Sequence, residues 1–340
     1  MKKSSEYIAE SVFNVNAHYT KLQNKTKILF FKCLKENRSV EYFRQEAYKI
    51  WGNVDHTFMD KQINKLQEMV WQNNVSLAID KGRLYGEYIP TEKWTIDDEF
   101  FKLVPESEFN ALERDFSNKV VKNYERSKKS IVGQDKDTYL EKKINTYNEE
   151  INQTVAYFRN GEVYRHVQLS SYLSMLHNTN LTRAGWNQTM ADSDKLGIDM
   201  FIIPYHPFSC LDCFQYQNRP LTKFEVENII GIEAVEQEGD IIHPNCKCTL
   251  GLYWDSSQIQ PMRYDEEEIE RQYHIRQKVN SLTLEKSRIA TDMKIQKDLG
   301  NEEAFDKLNQ RRNAINSKIR DLKEELPTES LQKQVGAINR

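Results

Sequence analysis

Ile198-Asp199-Met200-Phe201-Ile202-Ile203-Pro204, followed by Cys210-Leu211-Asp212-Cys213 and then His243-Pro244-Asn245-Cys246-Lys247-Cys248, is where an otherwise helical pattern changes character. The first run reads as a short strand stopped by proline, and Thr249-Leu250-Gly251-Leu252-Tyr253 supplies a second strand beyond the cysteines. Two strands flanking thiol-rich turns predict a small α+β module over residues 161–255, with Trp186 as its core anchor. Four of the chain's five cysteines fall inside it, and the fifth, Cys33, sits in a helical pattern where a thiol is ordinary core.

On either side the apolar residues recur at helical spacing. Ile28, Phe31 and Leu34, then Ile63, Leu66, Met69 and Val70, predict two or three amphipathic helices before Asn74. Lys81 to Val104, with Gly82, Gly86 and Pro90, reads as irregular structure or a short hairpin. A second helical block is expected from Glu106 through Val155, broken near Gly133. After the turn Arg159-Asn160-Gly161-Glu162, the run Val163 to His177 again reads helically through Val167, Leu169, Leu173 and Met175.

Beyond the module, residues 256–326 predict a long helical hairpin turning at Gly300-Asn301. Ile269, Tyr273, Phe305, Leu308, Ile315 and Leu322 are expected on its inner or docking face. Pro327 ends the periodicity, leaving 327–340 as a loose tail. The expected fold class is therefore mainly α with a small α+β cysteine-containing module and a long C-terminal helical hairpin, preceded by a helical region over 1–160.

Composition agrees. With 39% apolar and 29% charged residues and only 12 glycines in 340, the chain favours long solvated helices over a glycine-rich α/β enzyme. A net charge of −3 gives no global attraction to nucleic acid. No run approaches the roughly 20 apolar residues of a membrane span, and the Met1-Lys2-Lys3-Ser4-Ser5-Glu6 start lacks the apolar core of a secretory signal. The expected setting is a reducing cytoplasm, where clustered cysteines bind metal more readily than they form disulfides.

Cys210, Cys213, His243, Cys246 and Cys248 offer five ligands to a four-coordinate zinc ion. The two-residue spacing of Cys210 and Cys213 suits a zinc knuckle. Cys246 and Cys248 are too close for the same geometry, so the favoured set is Cys210, Cys213 and Cys246 with either Cys248 or His243. The plainer reading is a pair of turns carrying buried free thiols. His18, His56 and His166 stand singly in helical patterns and read as structural histidines.

The words around the cysteines carry more than the ligands. Arg165-His166-Val167-Gln168-Leu169-Ser170-Ser171-Tyr172-Leu173-Ser174-Met175, then Thr179 to Ala184, then Gly197-Ile198-Asp199, then His243 to Cys248, resemble in that order the minor capsid proteins of tailed bacteriophages. These form the minor capsid protein 2 or Mu F-like head-morphogenesis group. The charged helix from Glu266 to Lys286 is similar to the segment beyond the turn in that family, so the resemblance covers about 165 to 325. The chain departs from the family pattern at His177-Asn178-Thr179 and in its first cysteine pair. The zinc expectation therefore rests on the residues themselves.

The resemblance implies a non-enzymatic virion protein at the portal vertex, present in host cytoplasm during assembly and engaged in head assembly and in DNA packaging or ejection. Its implied partners are the portal protein and other capsid proteins, with double-stranded DNA as a further one and no membrane. Two rivals remain. A zinc- or cysteine-dependent enzyme would pair Cys210, Cys213 or Cys246 with His206 or His243, oriented by Asp212 or Asp240. Four clustered thiols suit a metal better than one selective nucleophile. A nucleic-acid-binding zinc module would use Lys247, Arg219, Lys223, Arg311 and Arg312 on phosphates, with Phe214, Tyr216 and Trp254 stacking on bases.

Overall fold

The computed structural model describes residues 2–52, 54–95, 100–159, 162–206, 211–229, 248–259 and 265–326. Five helices come first: α1 (Lys2–Lys35), α2 (Val40–Trp51), α3 (Thr57–Asp80), α4 (Glu106–Ser130) and α5 (Lys136–Tyr147). Ser39 and Asp135 cap α2 and α5 by accepting the backbone N–H groups of Tyr42 and Thr138 at 3.1 and 2.8 Å. Each such cap satisfies a helix-end donor and is worth about 1 kcal/mol. Packing does the rest. Phe30 of α1 meets Phe43 of α2, Tyr124 of α4 and Tyr147 of α5 edge-on, with ring centroids 5.8, 5.5 and 5.1 Å away, while Phe43 stacks on Tyr124 at 4.1 Å. Cys33 is buried in this aromatic core, where burial pushes its thiol up to about 11.

A wide helical turn over Asn148–Asn152 leads into an antiparallel hairpin, β1 (Gln153–Arg159) and β2 (Glu162–Gln168), with Gln153 opposite Gln168 and Arg159 opposite Glu162. Here the expectations of helix through Val155, within a helical region over 1–160, and again from Val163 are corrected, because strand begins at Gln153. Strand runs to Gln168, and helix starts only at Leu169. The physical reason is in the sequence: the β-favouring run Val155 to Phe158 pairs with a second such run, Val163 to Val167. Between them stands Asn160-Gly161, a strong hairpin signal that itself lies outside the described residues. His166 is accordingly an exposed strand residue.

The following helix, α6 (Leu169–Leu196), is 28 residues long and buried on nearly every side, including its polar residues. It packs against α1 and α3, and at its far end it enters the cysteine module. A left-handed Gly197 (φ 63°) stops it. The module's sheet has the order β4-β3-β5, all antiparallel, from β3 (Met200–Ile202), β4 (Pro220–Thr222) and β5 (Gly251–Leu252). The two expected strands are present. The third, β4, is an edge strand opening on proline, a position where the missing N–H costs nothing. Short helices α7 (Leu211–Phe214) and α8 (Lys223–Ile229) complete the module.

Two further helices, α9 (Glu266–Leu299) and α10 (Glu302–Glu324), form the C-terminal hairpin, closed by left-handed Gly300 (φ 80°) and by the Asn301 side chain, which accepts the Ala304 N–H at 3.1 Å. Ile289 and Met293 of α9 meet Ile315 of α10, with Phe305 and Leu308 packed around them. Of the expected inner face, Ile269 and Ile315 are buried and Tyr273, Phe305, Leu308 and Leu322 half-buried. The hairpin is fastened to α1 through an ion pair of Lys27, 1% exposed, with Asp292. A buried charge is tolerated because its partner is there. Residues 327–340 lie outside the described set, and among the described residues no helix is long and apolar enough to cross a membrane.

What α6 holds is visible in its amide side chains. Asn180 and Asn187, two turns apart on one face, each grip the extended segment 100–104 with two bonds. Asn187 accepts from the Phe101 N–H at 2.7 Å and donates to its carbonyl at 2.9 Å; Asn180 does the same to Val104 at 2.7 and 3.0 Å. Asp192, fully buried on the same helix, accepts from Asn74 Nδ2 at 2.7 Å and Gln188 Nε2 at 2.8 Å. Burial raises this carboxyl to about 6 from an ordinary 3.8, against the lowering effect of the two amides.

The sign of that shift sets a pH dependence. A carboxyl whose folded value is raised favours folding when protonated, so its contribution is complete below about pH 4 and lost as pH rises to about 6. The expected loss is roughly 3 kcal/mol. Urea denaturation across pH 4 to 6.5 should show Asp192→Asn gaining on the native chain by that amount over this window. Parallel stability curves would contradict the assignment.

Candidate functional site

The described part of the site is built where the sheet, α6 and the cysteine turns meet. After β3 the chain is held by the next turn: Ile203 bridges to Gln217, and left-handed Asn218 (φ 61°) donates its N–H to the Ile203 carbonyl at 2.7 Å. This sets His206 beside Gln217, whose Oε1 accepts the His206 N–H at 3.3 Å. Both side chains then turn to the same sulfur. His206 Nε2 lies 3.3 Å from Cys248 Sγ, and Gln217 Nε2 donates to that sulfur at 3.5 Å.

The strand side is fixed by α6. Trp186 Nε1 donates to the Cys248 carbonyl at 3.1 Å, and Thr189 Oγ1 to the Leu250 carbonyl at 3.1 Å. Cys213, carried by the single turn of α7, is 1% exposed, as is Cys248, and both belong to one apolar cluster with Phe101, Trp186, Phe201 and Leu252. Behind them, Arg276 of α9 is buried; burial lowers its guanidinium to about 10, opposed by the nearby Tyr205 and Tyr273 hydroxyls. The module thus has a cysteine from each expected turn inside one core, with an imidazole in contact with one of them.

Of the five ligands expected from sequence, Cys213 and Cys248 are in this core, whereas Cys210, His243 and Cys246 lie outside the described residues. Among the described residues no group of three or more histidine, cysteine, aspartate or glutamate side chains could hold a metal. His206 and Gln217 are partners of Cys248 that the sequence reading misses. The available signal is the spacing His206-x3-Cys210-x2-Cys213 directly after a strand.

Of the basic residues weighed for nucleic acid, Lys247 lies outside the described residues, and the others are locally engaged, Arg312 with Asn309 at 2.8 Å. Arg219 lies 3.3 Å from Glu225 and over the Tyr216 ring, Lys223 lies 2.8 Å from Asp194, and Arg311 lies 2.6 Å from Glu285. Phe214, Tyr216 and Trp254 are half-buried, the last two packed against the apolar cluster. For nucleophilic chemistry, His206 touches a thiol, yet that thiol is sealed from solvent. Compared with known proteins, the chain matches no family model, no curated sequence and no solved structure.

Removing the indole donor tests this arrangement. Trp186→Phe leaves the Cys248 carbonyl buried without its donor, which costs about 1–3 kcal/mol. Urea denaturation should show that loss, together with faster reaction of Cys248 with a thiol reagent. Native stability and unchanged labelling would mean that the Trp186 bond does not hold the cysteine strand.

Proposed function

We propose that the chain is a minor capsid protein of a tailed bacteriophage, of the Mu F-like head-morphogenesis group, acting at the portal vertex in head assembly and in packaging or ejection of DNA. One observation supports this reading most. The separate words that carry the resemblance meet on α6: the helix contains Leu169 to Met175 and Thr179 to Ala184, its Ser193 hydroxyl donates to the Ile198 carbonyl at 2.6 Å, and its Trp186 and Thr189 hold residues 248–250. The described parts of the pattern, Leu169 to Met175, Thr179 to Ala184, Ile198 and Cys248, thus belong to one packed unit, while His243 to Lys247 lie outside the described residues.

In this reading the module is a rigid node and the helices are docking surfaces for the portal protein and neighbouring capsid proteins. Cys213 and Cys248 have the donor chemistry for a thiophilic ion, with His206 as a nitrogen donor against one of them. Cys210, His243 and Cys246 stand in the same two turns of the sequence. Zinc bound there would act as a structural cross-link between the turns, since metal-binding energy adds directly to the folding of such small modules. The protein resides in the virion, and in host cytoplasm during assembly.

Quantitative mass spectrometry of purified virions and procapsids, with metal analysis of the purified chain, tests the reading. The chain is expected in both particles at far lower copy than the major capsid protein, and co-purifying with the portal ring, with one zinc lost in Cys213→Ser. Absence from both particles, or an enzymatic activity abolished by changing one thiol, would overturn it.

A further inference from the structure

Away from the cysteine module, a cavity of about 450 Å³ opens between the end of α2 and the middle of α4. We propose that it binds a primary ammonium group. Its lining includes Glu113 and Ser117, 3% and 1% exposed, with the rings of Trp51 and Tyr48 and the exposed side chains of Asn110 and Arg114.

Two polar groups in the lining await a partner. Glu113 Oε1 already accepts from the Tyr19 hydroxyl at 2.7 Å and faces His56 Nε2 at 2.8 Å, so among the described residues Oε2 is the oxygen with no hydrogen bond. One helical turn along, the Ser117 hydroxyl is buried and makes none either. An unsatisfied buried hydroxyl next to a buried carboxylate is costly, and a native structure keeps such a pair where something supplies the missing partner. The Glu113 oxygen accepts from an N–H donor.

Charge selects a cation. His56 is shared, its Nδ1 lying 3.1 Å from Glu106, so with Arg114 of the lining counted the two carboxylates keep one negative charge over only while His56 is neutral. The cavity also adjoins the C-terminal end of α2 at Gly52, where the helix dipole is negative. Trp51 is held by its Nε1 bond to Thr26 Oγ1 at 2.8 Å, and Tyr48 by its hydroxyl bond to Asn118 at 2.9 Å; such aromatic walls favour a cation on an alkyl stem. Arg114 is exposed and makes no ion pair among the described residues, whereas Glu113 is buried and held by Tyr19. An ammonium group offers three donors, one of them for Glu113 Oε2. Its source is a free alkylamine or a lysine side chain, which share this chemistry.

The test is titration of the full chain with n-butylammonium chloride, followed by thermal shift and calorimetry, beside butan-1-ol as an uncharged match and a capped Ala-Lys-Ala peptide. Butylammonium should bind saturably in the millimolar range and raise the melting temperature, with butan-1-ol inert. Glu113→Gln should weaken binding about tenfold or more. Because Glu113 also serves Tyr19 and His56, Tyr48→Ala supplies a variant outside the core, expected to fold and to bind more weakly. Tighter binding of the peptide than of the amine would identify a partner's lysine as the source, and the reverse a free amine. No saturable response to either cation, an equal response to butan-1-ol, or unchanged affinity in both variants would overturn the proposal.

Discussion

The burial of polar side chains along α6 is the constraint on which the rest of the fold depends. A helix surrounded on all sides would ordinarily be apolar, yet α6 buries Asn178, Asn180, Asn187, Gln188, Thr189 and Asp192. Each buried amide or hydroxyl must find a partner or cost about 1–3 kcal/mol, the magnitude seen when such bonds are removed. Asn180 and Asn187 find theirs in the backbone of residues 101 and 104, and Thr189 and Trp186 in the backbone of residues 250 and 248. Segments without regular structure of their own are thereby fixed against the spine, in one register, since a shift of either would strand several groups at once.

That constraint connects the two regions of interest. Toward its N-terminus α6 supplies Leu169, Leu173 and Leu176 to the aromatic core of α1, α2, α4 and α5; toward its C-terminus it supplies Trp186 and Met190 to the cysteine module. The hairpin of α9 and α10 is attached more locally, through Lys27 and Asp292 on one side and buried Arg276 near Tyr205 on the other. The capsid role proposed above would draw on such a build, in which long helices surround a packed centre and Cys213 and Cys248 are core residues.

Legibility in the sequence was local. The hairpin turn at Gly300-Asn301 could be read because a left-handed glycine and an N-capping asparagine act within a few residues. The strands at 200–202 and 251–252 came from β-branched and aromatic runs between breakers. Strand β2 escapes a reading by periodicity because Val163 and Val167, four apart, match both helical and alternating spacing over so short a run; the Asn-Gly turn is the signal that decides for strand. The polar burial of α6 left no periodic trace, because a helix enclosed on every face has no apolar stripe. Contacts between distant positions were legible only in outline: His206 could be set against the cysteines as a group but not against Cys248, and His56 looked solitary because it meets Glu113 only through tertiary packing.

Side chains of α6, acting as hydrogen-bonding partners for irregular backbone, hold the molecule together, and native-state hydrogen exchange of individual amides tests this most directly. The Phe101 and Val104 amides, donated to Asn187 and Asn180, should be protected nearly as well as those within α6 itself. In Asn187→Ala the Phe101 amide should lose that protection first. Exchange of both amides at the rate of an open loop in the native chain would contradict the account.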